Sequence, residues 1–168
     1  MIGVINYGSG NIGNLSRALA FLKREHTIME RPRMISGKKL DGLILPGVGA
    51  FSPAMKNIVS SGWRNELRKW VSDQRPLLGI CLGMQLMCEA STENGYSEGL
   101  GIFNGVVSRI EGTMKLPISV GTISTEMVSG MITISILCIP MLLGVLRTPQ
   151  PFLPLTVPNL QLLQKEGN

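Results

Sequence analysis

The sequence predicts an α/β fold, in which a mostly parallel sheet is flanked by helices in three layers. Three observations predict it. Short apolar runs at residues 2–6, 43–45 and 77–81 have the continuous character of strands buried on both faces. Segments with apolar residues at helical spacing separate them. Two glycine-rich turns, at Gly47 and Gly79, fall at the carboxyl ends of such runs, where open parallel sheets place their ligands.

In chain order, residues 2–6 form a first strand and residues 7–11 a tight loop. Residues 12–25 form a helix that carries Ile12, Leu15, Leu19 and Leu22 on one side. Residues 27–30 form a second strand. Leu43-Ile44-Leu45 is a buried strand that runs into Pro46-Gly47-Val48-Gly49-Ala50-Phe51. Helices follow at 53–61 and 63–74, then a strand at 77–81 and a helix at 84–90. No internal repeat is present. The Tyr7–Asn11 loop at a helix start could hold a phosphate. Gly-x-Gly alone is weak, and a plain turn is the expected reading.

The chain has 168 residues, enough for one domain with a sizeable core. Its net charge is +5. The basic residues are spread over residues 17–75 without a dense cluster, and the few aromatics show no stacking pattern. A solvated surface is therefore expected rather than a nucleic-acid face. Three cysteines (Cys81, Cys88, Cys138), odd in number and without Cys-x-x-Cys spacing, argue against a disulfide framework or a zinc site. They fit a reducing, cytoplasmic compartment, and no metal or cofactor is expected. The first apolar run is too short for a signal peptide and has no basic leader.

The chemistry concentrates at Gly79-Ile80-Cys81-Leu82-Gly83. A Gly-x-Cys-x-Gly elbow between a strand and a helix sets a thiol on a sharp turn, and the glycines remove the Cβ atoms that would block the bend. Unpaired N–H groups at the helix start favour the thiolate. The Leu82 amide stands ready for an oxyanion. A lone apolar-flanked cysteine is usually core. The glycines and Gln85 reverse that expectation for Cys81, whereas Cys88 is expected to be core.

Four pieces, in this order and spacing, carry a resemblance. They are Asn6-Tyr7-Gly8-Ser9-Gly10-Asn11, Leu45-Pro46-Gly47-Val48-Gly49-Ala50-Phe51, Gly79-Ile80-Cys81-Leu82-Gly83-Met84-Gln85-Leu86 and Glu98-Gly99-Leu100-Gly101. Across residues 1–117 the chain resembles the class I glutamine amidotransferases, whose fold is flavodoxin-like. More narrowly, it resembles the glutaminase subunits of imidazole glycerol phosphate synthase. Asn6 stands where that family usually has Asp. The resemblance implies that Cys81 attacks the side-chain amide of L-glutamine, releasing ammonia and leaving a γ-glutamyl thioester. It implies an oxyanion hole from the Gly47-Val48-Gly49 backbone with the Leu82 N–H, and a substrate-holding role for Gln85. It also implies a heterodimer with a (β/α)8-barrel cyclase subunit. That subunit uses the ammonia to make imidazole glycerol phosphate and AICAR in histidine biosynthesis.

The remainder departs from this pattern. A thiol nucleophile of this kind needs a base oriented by a third group, which the family supplies as His-Pro-Glu near its carboxyl end. The single histidine here is His26, between the first helix and the second strand, expected on the surface and away from the elbow. Glu166 follows no histidine. Between residues 118 and 164 only Glu126 and Arg147 are charged. Residues 128–146 are uncharged, a run close to the ~20 residues that span a bilayer. Ser129, Thr133, Ser135 and Pro140 within it, and the lack of Trp or Tyr at its ends, speak against a membrane span. The chain thus divides into an amidotransferase portion, 1–117, and an aberrant apolar, proline-rich tail, 118–168, that leaves the fold incomplete at its carboxyl end. Reading codons one base earlier from Pro117 allows His-Ile-Gly-Trp-Asn over residues 117–122. The same shift allows Phe-Val-His-Ser-Tyr over residues 136–141, and both are family motifs. A frameshift near Pro117 is therefore expected, and base and orienter are then both missing.

Three functional classes stay open: a glutaminase subunit, a non-catalytic remnant that binds glutamine or the partner, and a membrane-anchored α/β module. Within the first, the ammonia acceptor could instead be a surface-polysaccharide sugar. Sequencing the nucleotides across codons 110–200 tests the frameshift: an intact alternative frame that continues past codon 168 is expected, and a frame closed by stops removes the idea.

Overall fold

A computed structural model describes residues 1–108 and the backbone of two further strands, Gly121–Val128 and Met131–Cys138. Strands β1 (Ile2–Ile5), β2 (His26–Met29), β3 (Gly42–Leu45) and β4 (Leu77–Gly79) form a parallel sheet in the order β2-β1-β3-β4. Ile2 pairs with both His26 and Gly42, and Leu43 with Leu77. The strand order reverses between β1 and β3, so the crevice for a ligand opens at their carboxyl ends.

Alternation along these strands builds the predicted three layers. Val4 and Ile44 face α1 (Ile12–Phe21), where Leu19 is buried and Ile12, Leu15, Leu78 and Ile80 pack around it. Ile5, Leu43, Leu45 and Leu77 face the other way, towards α2 (Phe51–Ser60) and α3 (Trp63–Ser72). Those helices bury Phe51, Ile58, Trp63, Leu67 and Trp70 against them. The Trp70 indole N–H donates to the Pro76 carbonyl (2.9 Å) and the Arg75 guanidinium lies 3.3 Å over its ring.

Several expected elements differ: β4 ends at Gly79 rather than residue 81, α2 runs Phe51–Ser60 rather than 53–61, and α3 ends at Ser72 rather than residue 74. α1 stops at Phe21 rather than running to residue 25, because Lys23 turns into the left-handed region (φ 53°) to bring the chain back to β2. Phe21 and Leu22 are consequently exposed, at 86% and 63%, so Leu22 is not on the buried side. The second strand starts one residue early, at His26. The largest difference follows the elbow. α4 covers only Leu82–Leu86, and residues 88–90, expected to be helical, belong to strand β5 (Cys88–Ser91). The cause is a competing set of donors. The N–H groups of Leu100, Ile102, Gly101 and Gly99 bond to the carbonyls of Leu86, Met87, Cys88 and Glu89, and a helix running to residue 90 would need those of Leu86 and Met87 for itself. Cys88 is nonetheless in the core, 1% exposed. β5 lies between β6 (Ser97–Glu98) and β7 (Phe103–Val107) in a second sheet.

Gly121–Val128 (β8) and Met131–Cys138 (β9) pair antiparallel from Gly121↔Cys138 to Val128↔Met131. The bilayer-length apolar run therefore contains strand over residues 131–138. Among the described residues no helix is long and apolar enough to cross a membrane. The rest of the tail expected to be aberrant lies outside the described residues.

The junction between sheet and elbow sets the tightest packing. A Cβ on Gly83 would lie 1.9 Å from the Leu45 carbonyl oxygen, which is backbone and cannot swing aside. Gly13, in the first turn of α1, has nothing within 4 Å of that position. Gly83→Ala is thus expected to lower the unfolding free energy by about 3 kcal/mol. Gly13→Ala should change it by less than about 1 kcal/mol, with urea midpoints as the measurement.

Candidate active site

Cys81 sits between β4 and α4 with φ 55° and ψ −121°, a conformation that costs a non-glycine residue about 1–3 kcal/mol. The expected glycine exclusions are present. A Cβ on Gly79 would meet the Met84 backbone at 2.6 Å and the Met87 sulfur at 2.7 Å, and Gly83 is pressed on Leu45. The Ile80 N–H bonds to the Leu45 carbonyl (3.0 Å), and the Gly83 N–H to the Ile80 carbonyl (3.0 Å), closing the turn. Cys81 is half-buried.

The Pro46–Phe51 turn lies directly against this elbow. A Cβ on Gly47 would fall 2.6 Å from the Gly83 nitrogen and 2.9 Å from the Leu82 Cβ. Gly47 therefore packs against Leu82 and Gly83, the two residues that follow Cys81. Val48 and Gly49 are exposed in the same turn, and Gly49 has φ 92°. Gln85 is half-buried, four residues beyond Cys81 on the short helix. With five residues, α4 is shorter than the seven-residue helix expected at 84–90 and begins two residues earlier, directly after Cys81. Local amides rather than a long helix surround the thiol.

Sequence reasoning missed the part played by the loop after β1. The Tyr7 hydroxyl is buried and donates to the Pro46 carbonyl (2.9 Å), and the Ser9 hydroxyl donates to the Val48 carbonyl (2.8 Å). A Cβ on Gly10 would touch Pro46 at 3.1 Å. The loop thus behaves as a structured turn, with Asn11 capping α1 through the Asn14 N–H. Two hydroxyl residues around a glycine at the sheet's switch point were the available signal.

His26 begins β2, paired with Ile2 at the amino-terminal edge of the sheet. Its ring bonds to the Ser16 hydroxyl (2.6 Å) and the Arg24 carbonyl (3.1 Å). It lies at the end of the sheet opposite the elbow, as the sequence implies. Glu98, from the fourth motif, pairs instead with Arg64 and Arg68 of α3. A surface cavity of about 460 Å³ between the Pro32–Ile35 turn and α3 includes Arg33, Lys38, Glu66, Trp70 and Arg75 and none of the elbow residues. Among the described residues no group of three or more His, Cys, Asp or Glu is placed to hold a metal.

Burial pushes the Tyr7 phenol up to about 12. The Ser9 hydrogen bond works against that shift, and negative charge at Cys81 adds to it, which ties the phenol electrostatically to the thiol. The ordinary phenol value is about 10. The neutral phenol therefore supports the fold fully below about pH 10, and that support is lost as pH rises through about 12. A phenolate absorbance titration is expected to show a component near 12 that Tyr7→Phe removes, together with part of the alkaline loss of stability.

Comparison with known proteins places these observations. The family described as "Glutamine amidotransferase class-I" matches residues 3–132. The chain is 47% identical over 112 residues to the imidazole glycerol phosphate synthase subunit HisH of Geobacillus sp. (strain WCH70), covering 67% of this chain and 52% of that protein. It is 47% identical over 118 residues to the HisH subunit of Streptococcus sanguinis (strain SK36), covering 70% and 56%. For the HisH subunit of Synechococcus sp. (strain CC9902) the identity is 44% over 110 residues, covering 66% and 50%. The chain thus spans about half the length of these relatives. A crystal structure of a glutamine amidotransferase superposes with a TM-score of 0.58 at 22% identity, over 82% of this chain and 70% of that one, which supports the fold. By motif, architecture and sequence likeness, the chain belongs to the class I glutamine amidotransferase family.

Proposed function

We propose that this chain carries the nucleophile-bearing part, residues 1–117, of a glutaminase subunit that supplies ammonia for histidine biosynthesis, and that residues 118–168 are an aberrant tail, of which β9 packs beside β4 and α4. The observation that carries this reading is the strained Cys81 on a glycine-flanked elbow pressed against the Gly47 turn. The likeness to HisH subunits supports the choice of pathway.

In the proposed reaction the Cys81 sulfur attacks the side-chain carbonyl carbon of L-glutamine. The carbonyl oxygen takes up the negative charge and is held by the Leu82 N–H and the Gly47-Val48-Gly49 backbone. The carbon–nitrogen bond then breaks, the nitrogen takes a proton and leaves as ammonia, and the acyl group stays on sulfur as a thioester. Water cleaves the thioester to glutamate and restores the thiol. Gln85 holds the substrate. A cyclase subunit with a (β/α)8-barrel receives the ammonia in a cytoplasmic heterodimer.

Both proton transfers require a base. The one histidine of the sequence is tied to Ser16 and Arg24 at the far edge of the sheet. Turnover by this chain is therefore proposed to be severely impaired, since members of such a catalytic unit act together. That same observation favours a second reading, a non-catalytic remnant that keeps glutamine or partner binding.

A glutamine-shaped chloroketone, L-2-amino-4-oxo-5-chloropentanoate, is expected to alkylate Cys81 with protection by L-glutamine. Cys81→Ala should abolish labelling, while Cys88, at 1% exposure, stays unmodified. Glutamine hydrolysis is expected to fall about 10³-fold or more below that of a complete triad. Labelling that glutamine does not protect would refute substrate recognition at this site.

A further inference from the structure

We propose that Tyr7 and Ser9 are positioning residues that set the direction of the turn's amides beside Cys81, an inference that rests on the glutaminase reading above. Their hydroxyls grip two different peptide planes of one turn. Tyr7 donates to the Pro46 carbonyl and Ser9 to the Val48 carbonyl. In a planar trans peptide the N–H points opposite to the C=O. Holding the Pro46 oxygen therefore sets the direction of the Gly47 N–H, and holding the Val48 oxygen sets that of the Gly49 N–H.

The two anchors act from a rigid base. Tyr7 is 4% exposed and follows β1, whose Val4 and Ile5 are fully buried. The Asn6 N–H bonds to the Met29 carbonyl (2.9 Å), the Asn6 side chain accepts from the Gly8 N–H (3.2 Å), and Gly10 rests on the Pro46 ring. The turn needs such support. Val48, Gly49 and Ala50 are exposed, and Gly49, with φ 92° and nothing within 4 Å of its Cβ position, has no packing of its own to hold its direction. Two hydroxyl donors replace that packing. Because each grip is on the carbonyl edge of its peptide, opposite the N–H within the same plane, it directs the amides without occupying the space they face.

The experiment uses the whole chain with Tyr7→Phe, Ser9→Ala and the conservative Ser9→Thr, and compares two thiol reagents. With the glutamine-shaped chloroketone, the maximal inactivation rate is expected to fall about tenfold in Tyr7→Phe and Ser9→Ala. Its half-saturating concentration should stay within about twofold, and Ser9→Thr should restore the rate. Iodoacetamide, whose attack uses no oxyanion contact, should alkylate Cys81 in all variants at the parent rate. Hydrogen exchange at the Gly47 and Gly49 amides should quicken about tenfold in the two non-conservative variants while that of β1 and β3 is unchanged. Unchanged chloroketone rates, an effect on half-saturation alone, or equal slowing with iodoacetamide each overturn the proposal. If the parent chain takes up no chloroketone, the glutaminase reading fails. The exchange data then decide the clamp alone, and unaltered exchange at Gly47 and Gly49 overturns it.

Discussion

The approach of two backbone stretches, Leu45–Gly47 and Ile80–Gly83, governs the whole site. The Leu45 carbonyl accepts the Ile80 N–H and at the same time leaves no room for a side chain on Gly83. One oxygen thus draws the elbow in and excludes any Cβ from its far side. That closeness is held from below by the β3–β4 ladder and by buried Leu45, Phe51, Leu82 and Leu86. It is enough to offset the unfavourable backbone conformation of Cys81, which a looser junction would let relax. The strain at the nucleophile is therefore a property of sheet packing and not of the elbow sequence alone.

Around that junction the chain assembles three loops, from the carboxyl ends of β1, β3 and β4, at one edge of a parallel sheet. The sequence distance between them is large, but the parallel order brings them side by side, because every strand delivers its following loop to the same edge. The opposite edge collects the starts of the strands, which is where His26 lies. A single histidine at that edge and a thiol at the other are separated by the design of the sheet itself.

Much of this was legible in the sequence, and for identifiable reasons. Short apolar strands, the helices of the first layer, the approach of the Gly47 turn to the elbow and the remoteness of His26 all follow from local pattern plus the rules of parallel sheets. What escaped was set by partners distant in sequence. Nothing within residues 84–90 announces that the helix ends at Leu86, because the competing donors come from Gly99–Phe103, more than a turn of chain away. Leu22 matched the helical spacing of a buried face, yet the reversal at Lys23 left it in solvent. The grip of Tyr7 and Ser9 on the Pro46–Val48 carbonyls was hidden for the same reason. Backbone acceptors leave no mark in the identity of the residues that carry them.

The two obstacles behind Gly79 differ in kind. The Met87 sulfur is the end of an adaptable thioether, whereas the Met84 nitrogen and Cα are main chain. Shortening Met87 would clear the first and leave the second untouched. No compensatory exchange of side chains can then admit a larger residue at position 79. Evolutionary drift around the elbow is blocked by main chain, and epistasis with neighbouring side chains cannot reopen it.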